Sequence, residues 1–443
     1  MKKITAAVAL TLVIAVLTGV TAYAEPGFAY GEEVLTAFAP KWEAIQADES
    51  VISLTPGGEQ GEIRFGWLSK DENSRFMISE NADMSASKEF DVEYSEAQDG
   101  YISNKVAVTD LEEGKTYYYS YTENGVWSEP APVTVQSDKD FTVLYVSDAQ
   151  IGRSGEETLE EVLIRDTCGW NYTVEKMLKA YPDAAFAISG GDQFQSPDSI
   201  TQMKAYLAPE KLRSLPVANT IGNHDDGATL YGDIFNNPNE VRELFADEAG
   251  TGYYYTYGDV LFITVNSNNN FLLDTAKVLR TAVKAYPDAK WRVVTMHHNP
   301  YSASLSGDEY SEERLLFSSI YDCYDIDLVL SGHDHFYSRT EPVYAGKAAE
   351  GEGTVYVQSS SASGSNYDPL PDELAWYTET AFDVRVPTFT AFTFTDSAII
   401  GTTYRTDTDE VIDSFEVADN TSDSRANVFT VFISMIKTLI SMI

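Results

Sequence analysis

The five histidines of this chain gather in three short segments, Gly222-Asn223-His224-Asp225, His297-His298-Asn299-Pro300 and Gly332-His333-Asp334-His335. Each directly follows an apolar run rich in β-formers. Two acidic segments, Ser147-Asp148-Ala149-Gln150 and Gly190-Gly191-Asp192-Gln193, follow similar runs. Carboxylate, amide and imidazole groups therefore recur where strands should end. Those donor types suit divalent cations of hard to borderline character, and a pair of such cations is a common engine of hydrolysis. Such a centre needs one shared carboxylate, separate donors for each ion and an acid for the departing oxygen, and these segments supply each part.

The elements that must position these groups show two rhythms. From about 51 to 135, short strand-like runs at 63–67, 102–108, 116–121 and 132–135 are divided by Gly, Asp, Asn and Pro turns, which predicts a small antiparallel β-sandwich. After the polar link 137–140 the pattern changes. Buried apolar strands are expected at 141–146, 184–188, 217–221, 260–265, 291–296 and 326–330, with helices at 156–164, 174–181, 239–245 and 275–286. Alternating strands and helices of that kind make an α/β domain, in which ligands gather beyond the carboxyl ends of the strands. Asp148, Asp192, Asn223, His297 and His333 all fall at that edge. Further β-type runs at 353–357 and 388–394 close the domain near Val417.

The two ends have their own signatures. Residues 1–24 combine Lys2-Lys3, an apolar stretch and Ala22-Tyr23-Ala24, as a secretory signal does, so the mature chain is expected to begin near Glu25, outside the cytoplasmic membrane. An uncleaved anchor is the competing reading. Residues 25–49 suit one short helix, 418–425 a polar linker, and 426–443 an amphipathic helix that could rest on a membrane surface, self-associate or cover a groove of its own domain. The chain carries 69 acidic against 30 basic residues, a net charge of -39, which disfavours nucleic-acid binding through a basic face. A small phosphate ester remains compatible, because bound cations set the local charge of such a pocket. The only cysteines, Cys168 and Cys323, allow one disulfide without requiring it.

Taken in order, Asp148, Gly191-Asp192, Gly222-Asn223-His224-Asp225, His297 and Gly332-His333-Asp334-His335 resemble the calcineurin-like metallophosphoesterase superfamily. Within it the chain resembles the purple acid phosphatases over about 50–417. The stretch 332–340 is similar to their last metal motif, and Leu111-Glu112-Glu113-Gly114-Lys115-Thr116-Tyr117 to the tyrosine corner of a fibronectin type III module. The resemblance implies a fibronectin III-like β-sandwich at 50–137, then a metallophosphoesterase domain at 138–417 built as a β-sandwich flanked by helices. It also implies an exported phosphomonoesterase with two divalent ions (Mn, Zn, Fe or Mg) and a metal-bound hydroxide as nucleophile. Asp192 would bridge the ions, with Asp148 and His335 on the first and Asn223, His297 and His333 on the second. His224 would be the acid, oriented by Asp225.

Two departures bear on this. Gln195 stands where the purple enzymes have a tyrosine that binds ferric iron, which speaks for an all-divalent pair. Gln150 stands where the wider superfamily often has histidine; its amide oxygen is a weaker donor, so the first site is expected to bind less tightly than the second. His298 should point away from His297 if the strand continues, in a supporting or structural role. Asn266, Asn268 and Tyr301 could reach the pocket rim, but a simple loop role suits them better, and Asp334 suits a turn or a place supporting its neighbours. A phosphodiesterase or nucleotide hydrolase would use the same ligands. A surface-binding protein with a silent site is the reading from outside enzymology, with Gln150 and Gln195 in its favour.

Overall fold

The computed structural model describes residues 30–49, 51–155, 158–244, 248–268, 272–303, 311–349, 351 and 353–418. The expected leader at 1–24, the stretch 419–425 and the amphipathic segment 426–443 lie outside them. Residues 30–49 hold two helices rather than one, Glu32–Phe38 and Trp42–Ala47, separated by a 3-10 turn over Ala39–Lys41. Pro40 sits in that turn, where its missing N–H interrupts the helical ladder.

From Ile52 to Thr134 the chain forms two antiparallel sheets. One orders its strands Ile52–Pro56, Ile63–Ser69, Ile102–Val108 and Glu93–Glu96; the other orders Lys88–Phe90, Phe76–Ser79, Thr116–Glu123 and Val126–Trp127, with Ala131–Thr134 also paired to Thr116–Glu123. Phe65, Trp67, Phe76, Val106, Tyr119, Tyr121 and Val133 share one core. Leu111 is buried, and the Tyr117 hydroxyl accepts the Glu112 backbone N–H at 2.9 Å, closing a corner between two runs.

The rest of the chain is a mostly-sheet α/β fold. A six-stranded sheet runs Val217–Asn219, Phe186–Ser189, Thr142–Val146, Thr388–Phe394, Ala398–Arg405 and Val411–Ala418, its first three strands parallel. A seven-stranded sheet runs Tyr253–Tyr257, Val260–Thr264, Trp291–Thr295, Leu328–Ser331, Val355–Gln358, Tyr337–Thr340 and Thr378–Phe382, its four consecutive strands from Val260–Thr264 to Val355–Gln358 parallel. Alternate residues of both sheets, among them Val143, Tyr145, Phe186 and Ile188 from one and Phe262, Val293, Leu328 and Val357 from the other, meet in one core. The opposite faces pack against helices: Leu144, Val146 and Ala187 against Trp170, Val174 and Met177, and Leu261, Ile263 and Val294 against Val278, Leu279 and Tyr321. Strands buried on both faces read as continuous apolar runs, which is why they were legible without alternation.

Two helical expectations change. In place of the two helices expected at 156–164 and 174–181, the described residues form a single one, Leu159–Ala180, started by a capping box of Thr158 and Glu161. Gly169 lies inside this helix as a packing residue: a Cβ there would lie 1.9 Å from the Ser363 carbonyl oxygen, so only glycine lets that backbone approach. The helix expected at 239–245 is absent from its described residues. Val241 instead donates to the Gly252 carbonyl at 2.8 Å, and the Glu243 carboxylate accepts the Gly252 N–H at 2.9 Å, so tertiary contacts outweigh local propensity. Both cysteines are free thiols. Among the described residues no helix is long and apolar enough to cross a membrane.

The N-terminal sheets grip the C-terminal part of the chain through side chains that reach the segment after Asp225. Asn236 Nδ2 donates at 3.1 Å to both the Phe65 and Val106 carbonyls, which face each other across one strand pair. Lys105 Nζ donates to Gly232 O at 2.6 Å and Ser53 Oγ to Ile234 O at 2.6 Å. These contacts hold the helix Leu230–Ile234, which begins five residues after Asp225.

Candidate metal centre

The carboxyl ends of the parallel strands in both sheets open onto one edge, and the expected donors arrive there together. Asp148 follows Thr142–Val146, Asp192 follows Phe186–Ser189, and Asn223 and His224 follow Val217–Asn219. From the second sheet, His297 follows Trp291–Thr295, and His333 and His335 follow Leu328–Ser331. The two edges are joined by a bridge between Ser147 and Ser361 and by the hydrogen bond of Tyr145 OH to Ser331 O.

Asp148, Asp192 and His335, all buried, bring one ligand atom each within 4.8 Å of one another. His335 Nε2 stands 3.2 Å from Asp148 Oδ1 while its Nδ1 faces the Asn366 carbonyl at 3.2 Å. A carbonyl can only accept, so Nδ1 carries the proton and Nε2 is the atom left free to coordinate. The same logic fixes His297. Its Nδ1 donates to Gly190 O at 3.0 Å, leaving Nε2 3.3 Å from Asp192 Oδ2 and 3.1 Å from Asn223 Oδ1. His333 Nδ1 lies 3.0 Å from that same Asn223 oxygen. The second expected set, Asp192, Asn223, His297 and His333, is thus contiguous, and Asp192 touches both sets.

Charge follows geometry. Burial alone would lower the pKa of His297, but the carboxylates of Asp192 and Asp148 and the Gly190 carbonyl raise it to about 10. Burial would raise Asp148, yet His335 and His297 hold it down at about 2. A pocket whose carboxylates so favour positive charge on His297 and His335 is one that favours a cation beside them, with the protons released in exchange. The donor set fits a divalent metal on a further observation: Gln150, buried in the Asp148 loop, has a side-chain oxygen with no hydrogen-bond partner, a deficit of about 1–3 kcal/mol that coordination would remove.

Asp148, Gln150, Asp192, His333 and His335 all adopt positive φ, at 52°, 37°, 52°, 79° and 53°. Non-glycine residues avoid this region, and such strain concentrates at functional sites.

Three placements correct the sequence. Asp225 does not orient His224: its buried carboxylate accepts backbone N–H groups of Gly222 at 2.8 Å and Gln193 at 2.9 Å, tying the Asp192 loop to the Asn223 loop. Burial and then the Asp192 charge push its pKa well above the carboxylate range. The half-buried His224 ring is held instead by Gln195, whose carbonyl and side-chain amide both lie 3.2 Å from Nδ1. His298 does not turn away, because the strand ends at Thr295 and alternation ends with it. Its ring centroid lies 5.0 Å from that of His297 and 4.4 Å from that of His333. Burial, then the charges of His297 and His333, bring its pKa to about 2.

Some partners had no sequence signal. Ser267 Oγ stands 2.9 Å from His298 Nδ1, and Ser361 Oγ donates to the Asp148 carbonyl at 2.9 Å. Asn268 Nδ2 donates to Gly222 O at 3.1 Å, tying its loop to the one that carries Asn223. Asp334, between His333 and His335, accepts from the Ser302 hydroxyl. Tyr301 lies in a loop, as expected, and is buried against Tyr356 and Tyr377 rather than reaching the rim.

Residues 141–337 match the family described as Calcineurin-like phosphoesterase, a span that contains all the donors named above. The chain is similar to the purple acid phosphatase PPD1 of yellow lupin (Lupinus luteus) seeds, with 17% identity, a TM-score of 0.65, and coverage of 83% of this chain and 74% of that one. It is also similar to PhoD, with 11% identity, a TM-score of 0.55, and coverage of 89% and 98%. At these identities the two likenesses speak for the fold. No curated protein matches the chain.

Proposed function

We propose that this chain is a metal-dependent phosphatase of small phosphate monoesters, with two divalent cations that share Asp192. The observation that carries it is the meeting of two donor sets at one carboxylate, at the carboxyl edge of both sheets. The calcineurin-like phosphoesterase match supports a phosphoesterase hydrolase. Asp148, His335 and the unpartnered oxygen of Gln150 would hold one cation; Asn223, His297 and His333 would hold the other. Cations so placed neutralise phosphoryl oxygens and supply a nucleophile from water at neutral pH.

The chain's own groups do the remaining work. His224 directs its Nδ1 to Gln195, which leaves Nε2 to deliver a proton to the departing alkoxide. Its backbone N–H donates to Asp192 Oδ1 at 2.8 Å, so acid and shared carboxylate keep a fixed separation. Asp225 locks the two loops that carry them. The exposed Asn223 and His333 mark the face from which an ester enters.

Around this centre we read residues 50–137 as a fibronectin III-like module, supported by the two antiparallel sheets and the Leu111–Tyr117 corner. Residues 138–417 are the catalytic domain. The leader-like residues 1–24 support export, to the cell surface or medium.

Protein purified without chelators should carry about two divalent ions per chain and cleave para-nitrophenyl phosphate faster than its bis ester. Asp192→Ala should lose both ions. A chain that retains no divalent ion and turns over neither ester overturns the proposal, and preference for the bis ester moves it to a phosphodiesterase.

A further inference from the structure

The two halves of the centre differ in chemistry. Asp148, Asp192 and His335 supply mainly oxygen, whereas His297, His298 and His333 bring three imidazoles whose ligand atoms lie within 4.8 Å of one another. Only two of those imidazoles belong to the donor set assigned above. The third is held in place from the neighbouring strand. Ser267, just beyond Val260–Thr264, accepts the His298 backbone N–H at 3.0 Å and engages the His298 Nδ1 at 2.9 Å with the same hydroxyl. With Nδ1 occupied, Nε2 is the nitrogen left to bind. One serine thus fixes both the backbone and the ring of a histidine that packs on a ligand imidazole, the role usually filled by a group that orients a coordinating histidine.

We propose that His298 is a further imidazole ligand of the second cation, beside His297 and His333, oriented by Ser267. It rests on the two-cation reading above and adds a consequence for metal choice. Nitrogen-rich positions favour zinc, cobalt and nickel, and oxygen-rich ones suit manganese and magnesium. The centre should therefore load unevenly, with zinc on the imidazole side and manganese or magnesium tolerated on the carboxylate side.

The test uses the full chain, stripped with a chelator and reloaded with cobalt(II) or zinc. In the cobalt protein, a ligating imidazole with a protonated second nitrogen gives an exchangeable, paramagnetically shifted N–H proton resonance. His298 should contribute one that disappears in His298→Ala. Zinc affinity, read by competition with a chromophoric chelator, should fall by about tenfold or more in that variant. Manganese affinity, read by its paramagnetic resonance, should change less than zinc affinity. Ser267→Ala should lie between wild type and His298→Ala. Should His298→Ala fail to fold, 15N-histidine labelling of the wild type decides: coordination moves the His298 Nε2 resonance on zinc loading, and an unmoved resonance overturns the assignment. An unaltered set of shifted signals with unchanged zinc affinity in His298→Ala also overturns it while leaving the two-cation centre standing. A wild type that binds no cation removes both.

Discussion

Gly332 precedes His333 in a conformation open to any residue, so replacing it with alanine tests space alone. A Cβ there would stand 2.2 Å from Asp148 Oδ2 and 2.0 Å from Ser147 Oγ. A normal contact near 3.4 Å requires the carboxylate oxygen to move by about 1.2 Å, because the Gly332 N–H is itself fixed to the His297 carbonyl at 3.1 Å. Asp148 is fully buried and its backbone is held by Gly191, so the shift falls on the side-chain angle that aims it at His335. Misplacement by roughly 1 Å costs about a hundredfold in rate, equivalent to about 2.7 kcal/mol of barrier. The overpacking itself costs about 1–3 kcal/mol of stability, which a fold of typical stability survives. Gly332→Ala should therefore remain folded by circular dichroism, hold fewer ions by elemental analysis, and turn over para-nitrophenyl phosphate about a hundredfold more slowly. Near-normal turnover with a full metal complement would show that Asp148 is not a ligand whose position matters.

Other variants probe separate links. His224→Ala should keep its metal content and lose about 10²–10⁴-fold in turnover, with the smallest loss on esters of acidic phenols, whose departure needs no proton; a uniform loss across leaving groups argues against the acid role. Asn236→Ala removes three hydrogen bonds to the N-terminal sheets beside the site, the two its Nδ2 donates and the one its Oδ1 accepts from Arg64, so a loss of about 3 kcal/mol should appear in denaturant titration. Asp166 is buried, and although backbone N–H groups of Gly152, Arg153 and Ser154 reach its carboxylate, burial wins and raises its pKa to about 6. Its unfolded value is near 3.9, so stability present below about pH 4 is lost as pH rises through 6, on the order of 3 kcal/mol. Asp166→Asn keeps an oxygen for those N–H groups and should flatten the fall in Tm between about pH 4 and 7; an unchanged slope would assign it to other carboxyls.

The sequence disclosed the donors because their chemistry is dense and their strands are apolar on both faces. It could not disclose pairing. Thr142–Val146 lies between Phe186–Ser189 and Thr388–Phe394, and the second neighbour is roughly 250 residues away, a distance over which no local pattern operates. Residue roles failed for the same reason. Asp225 adjoins His224 in the chain, but a buried carboxylate binds whatever donors the fold brings, and here those are remote backbone N–H groups. Gln195 drew notice only as an absent tyrosine, and its contact with His224 depends on how two loops cross. The misplacement of His298 came from extending strand alternation three residues past the strand's end at Thr295. A glycine placed inside a helix for close approach, as Gly169 is, looks the same in sequence as one that breaks a helix.

The strain at the edge explains why these loops interlock. Five site residues at positive φ, each costing on the order of 1–2 kcal/mol, together amount to a large part of a typical domain's stability. They persist because each loop is stapled to the next. Asp148 N–H donates to Gly191 O at 3.0 Å and Gln150 N–H to Asp192 O at 2.8 Å, while His333 N–H reaches the Asp148 carboxylate at 3.1 Å. His224 N–H reaches Asp192, and Asp225 closes the circle through Gly222 and Gln193. Backbone donors thus aim the carboxylates before any cation arrives, and the donor geometry belongs to the fold rather than to the metal. Loss of one staple should therefore be felt by donors on both sheets, and variants in this ring should combine non-additively, whereas Asn236→Ala and Asp166→Asn, outside it, should combine additively with each other.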